Sequence, residues 1–87
     1  MELVHRKNVV GLRIRQARKK AKITQMELAA QLQLLGIMID RSGIAKIEGD
    51  RRPVSDIEVA AIARIIKVPV SWFFEESDKF FSSAAPQ

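Results

Sequence analysis

At 87 residues, with 47% apolar and 29% charged side chains, the chain has the composition of one globular domain, too short for two cores and too apolar for a disordered tail. It holds no cysteine and one histidine, His5, which excludes a disulfide framework, a thiolate metal site and a cysteine nucleophile, and leaves little to build a metal site or catalytic base around. Fifteen Lys and Arg against ten Asp and Glu give a net charge of +5, which favours a polyanionic partner.

No apolar run approaches the ~18 residues of a membrane span. Val9-Val10-Gly11-Leu12 stops at Arg13, too early for a signal-peptide core. A soluble, cytoplasmic protein associated with the nucleoid is the expectation, with no membrane, metal or cofactor involved.

In chain order, Asn8 is expected to cap a first helix over 9–20, with Val10, Ile14 and Ala17 facing inward at helical spacing. Arg18 follows Ile14 by four positions and so lies at the edge of that apolar stripe. An arginine on the buried side needs a carboxylate from elsewhere in the chain. Thr24-Gln25-Met26-Glu27 is a capping box. It opens a second helix with Leu28, Leu32 and Leu35 inward and Gly36 as a left-handed stop. Asp40 caps a short third helix over 41–48, ended by Gly49. Ser55-Asp56-Ile57-Glu58 is a second capping box, opening a fourth helix whose stripe Val59, Ile62, Ala63 and Ile66 runs up to Pro69. Ser71 starts a last short turn of helix holding Trp72, Phe73 and Phe74, expected to close the core. The predicted core is Ile14, Ala17, Leu28, Leu32, Ile44, Ile47, Val59, Ile62, Ile66 and Phe73. Helices this short are marginal alone and depend on that packing.

The charge is unevenly placed. Residues 1–22 carry eight Lys and Arg against Glu2 alone, residues 23–53 balance, and residues 54–87 hold three cations against five carboxylates. A basic front and an acidic back orient a molecule toward nucleic acid or an anionic surface, although a solvated helix face reads the same way on charge alone. The third helix adds to this. If Ile44 and Ile47 face the core, the opposite face belongs to Ser42, Ala45, Lys46 and Gly49 with Arg41 flanking, and no carboxylate stands among them. Small side chains there permit close approach to a major groove, while Arg41, Ser42 and Lys46 reach base edges. Gly43 in mid-helix is costly for a purely structural helix, which also favours a groove-facing role.

Thr24-Gln25-Met26-Glu27-Leu28-Ala29, then Ser42-Gly43-Ile44-Ala45-Lys46-Ile47-Glu48, then Arg51-Arg52-Pro53, resemble the XRE (Cro and lambda-repressor-like) helix-turn-helix regulators. The resemblance covers residues 9–75. It implies an all-α, five-helix lambda-repressor-like DNA-binding domain in which the second and third helices form the reading unit. By the same resemblance Gln25 matches a phosphate-contacting glutamine, and Arg41, Ser42 and Lys46 match base-reading positions. Arg51 and Arg52 fall in the loop that contacts backbone or minor groove. Arg18 and Glu48 match an ion pair tying the first helix to the third. One departure stands out: the connection between the second and third helices is about five residues longer than the short turn usual in such motifs. The extra residues are largely apolar and are expected to form one more turn on the second helix plus a packed connection.

The organisation expected is an N-terminal arm over 1–8, the helix-turn-helix domain over 9–76 and a C-terminal tail over 77–87. The function expected is sequence-specific binding of double-stranded DNA by a transcriptional regulator, most simply a repressor, with Arg15 and Lys19 joining Gln25, Arg51 and Arg52 on phosphates. Homodimerisation on a two-fold operator is expected, with Phe80-Phe81 as a dimer contact or tucked back on the same monomer. No catalysis is expected, since no phosphate-cradling Gly-rich string or carboxylate pair suited to acid–base work is present, and no small-molecule effector is expected, for want of a second domain to hold one. The alternative is a protein-interaction module of the same fold, an antitoxin or partner-binding domain.

Overall fold

Side-chain caps decide where each helix of this chain begins. In the computed structural model, which describes residues 6–77, Asn8 Oδ1 accepts from the amides of Val10 (3.1 Å) and Gly11 (2.7 Å) and α1 runs over Gly11–Lys20. The helix starts two positions later than the periodicity suggested, with Val10 at its N-cap position and the Ile14 amide on the Val10 carbonyl at 2.9 Å. Thr24 and Glu27 close the expected capping box at the head of α2, Gln25–Leu34. Asp40 accepts from the Gly43 amide at 2.8 Å and opens α3, Arg41–Glu48. Ser55 and Glu58 form the second box, opening α4, Asp56–Ile66.

The helix ends share a device. After α2, Gly36 takes φ +84°, the Ile37 amide returns to the Leu32 carbonyl and the Gly36 amide to Gln33. This left-handed closure satisfies carbonyls that the helix leaves unpaired. The same pattern closes α1 and α3, but with Lys22 (φ +62°) and Asp50 (φ +62°) in the left-handed position, and Lys67 (φ +69°) terminates α4. Pro69 then stands before a five-residue 3-10 turn, Val70–Phe74. Among the described residues the fold is thus four α-helices and a 3-10 turn rather than five α-helices.

α2 packs on α3, α1 packs across α3, α4 lies against α2, and the 3-10 turn fills the angle between α1 and α4. All ten residues predicted for the core are buried, joined by Val10, Ala29, Ile39, Ala61 and Ala63. The connection over 35–40 is packed only in part. Ile39 is buried and Ile37 is partly so, but Leu35, expected inward, is half exposed, and Leu34 and Met38 are 86% and 75% exposed. Leu35 misses the core because α2 ends one residue before it, so the 3.6-residue period no longer holds there. Phe74 is also exposed, leaving Phe73 as the aromatic that closes the core and Trp72 at its margin. His5 and the Phe80-Phe81 pair lie outside the described residues.

Two glycines permit close approaches. A Cβ on Gly11 would collide with the Ile47 carbonyl oxygen, so only glycine lets α1 cross α3 at this separation. At Gly43 the same atom would sit 2.7 Å from Ile39 Cγ2. Gly43 therefore has a structural cause, the connection folded against α3, and gives no support of its own to a groove-facing role.

Gly11→Ala should destabilise the domain by about 1–3 kcal/mol despite the better helix propensity of alanine, since the added methyl forces α1 and α3 apart. At roughly 4–8 °C per kcal/mol for a domain of this size, a thermal melt followed by circular dichroism reads the change directly. An unchanged midpoint would mean the helices are not held at this distance.

Candidate nucleic-acid interface

α3 is a short helix with two unlike faces. Ile44, Ile47 and Glu48 are buried. Arg41, Ser42, Lys46 and Gly49 are exposed and Ala45 is half-buried, so the face opposite the isoleucines is open to solvent. No carboxylate lies on it. Asp40, exposed at the amino end of α3, caps the Gly43 amide through Oδ1.

The surroundings of that face come from three directions. On one side Arg41 lines an open hollow with Arg18, Thr24, Gln25 and Met26, so the first turn of α3 and the amino end of α2 share one surface. On the other side Gln33, Met38 and Ile39 stand next to Gly43 and Arg52. Beyond the carboxyl end of α3, Arg51 is exposed and its Nε lies 3.4 Å from the position a Cβ on Gly49 would take. α1 supplies the third direction. Gly11 and Arg18 face α3; at 100° per residue Arg15 lies about 50° from that line and Lys19 about 90°. Both are exposed, and Arg15 is the nearer to α3.

Other expected contacts are occupied inside the protein. Gln25 Nε2 donates to Glu48 Oε1 at 3.1 Å. Arg52 makes a two-pronged pair with Glu58, NH1 to Oε1 at 3.2 Å and NH2 to Oε2 at 3.0 Å, and NH1 also donates to the Pro53 carbonyl at 2.6 Å. Its guanidinium is thus turned into the loop, while that of its neighbour Arg51 is not. Arg13, which sequence reasoning did not single out, is likewise committed: its guanidinium stacks 3.7 Å over the Trp72 ring, with Nε on the Trp72 carbonyl and NH2 3.2 Å from Glu75. That leaves Arg15 and Lys19, not Arg13, as the open cations of this helix named above.

Arg18 and Glu48 meet in a buried pair, Nε to Oε2 at 2.7 Å and NH2 to Oε1 at 3.0 Å, with side chains 9% and 3% exposed. Arg18 NH1 donates to the Ile23 carbonyl, and Gln25 adds its bond to the same carboxylate. The group joins α1, the start of α2 and the end of α3. Among the described residues no buried side-chain nitrogen or oxygen lacks a partner, as a stable polar cluster in a low-dielectric interior requires.

Sequence reasoning missed a second polar cluster at the carboxyl end of α3. Asp50 Oδ1 accepts from the amides of Lys7 (2.7 Å) and Asn8 (3.0 Å), and Oδ2 stands 3.3 Å from Arg6 NH1. Asn8 Nδ2 donates to the carbonyls of Ile47 (3.1 Å) and Arg52 (2.9 Å). Residues 6–8, expected to belong to an arm, are bound here to the far end of α3. Nothing local signals these contacts, because the partners are some forty positions apart in sequence.

A helix-turn-helix family model matches residues 14–73, 60 of the 87 residues. The chain belongs to the XRE-type helix-turn-helix family, a family of DNA-binding domains. No curated protein matches it. Among the described residues no helix is long and apolar enough to cross a membrane, and no group of three or more His, Asp or Glu is placed to hold a metal ion.

Glu48→Ala leaves Arg18 charged, buried and unpaired, and should cost about 3–5 kcal/mol. Replacing both partners, Arg18→Met with Glu48→Leu, should recover most of the loss, because the pair is expensive to break and inexpensive to remove together. Melting temperatures of the three variants test this; a Glu48→Ala protein as stable as the parent would show that the pair carries nothing.

The Glu58 carboxyl is held below its ordinary value of 4.5, first by the hydrogen bond from Arg52 and further by the Ser55 amide, against a burial effect that raises it. A depressed folded-state value stabilises the native protein above the ordinary pKa, and the contribution drains away as pH falls through the folded value. Arg52→Ala should therefore lower the melting temperature at neutral pH, and the gap to the parent should narrow below pH 4.5. A gap that stays constant into acid would exclude the Arg52–Glu58 pair as its source.

Proposed function

We propose that this XRE-type helix-turn-helix protein reads double-stranded DNA in a sequence-specific way, laying α3 in the major groove, and that it acts as a repressor by occupying its operator. One observation carries the reading: the only polar residues of α3 outside its buried face are Arg41, Ser42 and Lys46, all exposed, with no acidic side chain among them. Arg41, at the first turn, is the base-reading residue of greatest weight, since an arginine takes guanine O6 and N7 with two bonds worth about 1–3 kcal/mol of discrimination. Ser42 and Lys46 complete the reading set. Arg15, Lys19 and Arg51 neutralise phosphates, and Gln25 reaches one from the amino end of α2, where free helix amides favour an anion. Arg52, bonded to Glu58, serves the phosphate contact by bracing the loop that carries Arg51. Repression needs only occupancy, so no effector and no cofactor enter the mechanism. A two-fold operator would be bound by two copies, with half-sites one helical turn apart. Such a regulator works in the cytoplasm, on the nucleoid.

A partner-binding role of the antitoxin kind is favoured by a different observation. Away from the α3 face, Leu34 and Leu35 at the end of α2 are exposed beside Ile65 of α4, an apolar surface that a DNA contact does not use.

A gel shift against a pool of random duplexes at two salt concentrations separates the two readings and recovers the operator. DNA binding predicts enrichment of one sequence and an affinity that falls steeply with salt as counterions are released. Arg41→Ala should lose sequence preference, whereas Arg15→Ala or Lys19→Ala should weaken operator and random DNA alike. Equal losses on both duplexes for Arg41→Ala would refute its base-reading role, and a protein that shifts no duplex would leave the partner-binding reading in its place.

A further inference from the structure

The carboxyl end of α3 is joined to the start of α1 more tightly than helix packing requires. Asn8 uses both halves of its amide: Oδ1 caps α1 on Val10 and Gly11, and Nδ2 holds the carbonyls of Ile47, in the last turn of α3, and Arg52, in the loop after it. Asp50 faces it from the other side, taking the amides of Lys7 and Asn8 while its own backbone lies in the left-handed region at φ +62°. The Ile47 carbonyl also receives the Asp50 amide at 3.2 Å and meets Gly11, where no side chain fits. Arg52 is fixed from its opposite end by Glu58. Between these two anchors a single residue, Arg51, keeps its side chain exposed.

We propose that Asn8 and Asp50 are positioning residues for DNA reading: they lock the end of α3 and the loop behind it onto α1, and so fix both how α3 presents Ser42 and Lys46 and where Arg51 meets the phosphate backbone. This rests on the reading of α3 as the groove helix. Neither residue touches DNA in this scheme. Asn8 acts through the carbonyls of Ile47 and Arg52, which it holds on either side of the turn, and Asp50 acts by holding the amides of Lys7 and Asn8 in place. The physical need is register. Base contacts tolerate little displacement, and a phosphate contact on one side sets the depth and tilt at which a helix enters the groove. A helix as short as α3, eight residues, cannot hold its own orientation. It takes it from what its end is bonded to.

Asn8→Ser tests the Asn8 half, because the hydroxyl oxygen keeps an acceptor for the α1 amides without adding charge, while the two donor bonds to the Ile47 and Arg52 carbonyls are lost. Asp50→Gly tests the other half. Glycine relieves the left-handed strain while removing the carboxylate, so changes in stability offset one another and the positional effect is left exposed. Each variant is compared with the parent chain for affinity on the selected operator and on random duplex, for its melting temperature, and for the effect of adding Arg51→Ala.

Both variants should stay folded at the assay temperature. Operator affinity should fall about ten-fold, and random-duplex affinity by no more than Arg51→Ala alone costs on it, since base contacts are misaligned on the operator alone while the Arg51 phosphate contact is lost on both. Arg51→Ala, costly in the parent, should cost little when added to either variant, since an Arg51 that has lost its place has little left to lose. A purely structural role would lower the melting temperature and leave the operator-to-random ratio and the Arg51 effect unchanged, and that result overturns the proposal while the DNA reading stands. A parent protein that prefers no duplex overturns both.

Discussion

A charged pair taken out of water sets the geometry of this domain. Arg18 of α1 and Glu48 of α3 approach to 2.7 Å with almost no exposure, and neither can be left without the other. Desolvating two ions is expensive, and the attraction between them repays the cost only with close geometry and with every remaining donor satisfied. Here the donors are satisfied by the Ile23 carbonyl and the carboxylate, and the carboxylate is shared with Gln25. The pair is therefore intolerant of displacement. It determines which way α3 is turned about its axis: with Glu48 held inward beside Ile44 and Ile47, the Ser42 and Lys46 side has no direction left but outward.

Close approach and polar anchoring reinforce one another along the same seam. Gly11 lets α1 come up against the Ile47 carbonyl, Asn8 bonds that carbonyl from the neighbouring turn, and Arg18 secures the next residue of α3. The opposite side of α3 is set differently. Ile39 packs against Gly43, so the connection from α2 is fitted to the helix by shape. One end of α3 is thus held by hydrogen bonds and charge and the other by apolar contact. The basic residues stay clear of both, Arg41 at the first turn and Arg51 past the last.

Much of this was legible in the sequence, for reasons that are local. Thr24 with Glu27, Asp40, and Ser55 with Glu58 mark helix starts because capping acts over three residues. The spacing of Ile14, Leu28, Leu32, Ile44, Ile47 and Ile62 marks the core because a 3.6-residue period cannot be hidden. The need for a carboxylate to meet Arg18 followed from its place on the apolar edge. What escaped was set by contacts distant in sequence. Nothing near Gly43 announces that Ile39 will occupy its side-chain space, so a packing requirement was read as a functional one. Nothing in Arg51-Arg52 tells which arginine will turn to Glu58 and which will remain exposed. Asn8 was recognised as a cap, yet its amide nitrogen reaches residues 47 and 52, beyond any local pattern. Leu35 was misplaced by one residue of helix length, the least certain quantity in any reading of helical periodicity.

The left-handed residues at the helix ends have a consequence for how such a domain can change. Lys22, Asp50 and Lys67 occupy a conformation that costs an L-residue roughly 1–2 kcal/mol and glycine almost nothing. Lys22 and Lys67 are exposed. A glycine at either lysine would therefore offset a destabilising replacement elsewhere in the domain, so that the outward side of α3 can be varied without the scaffold being lost.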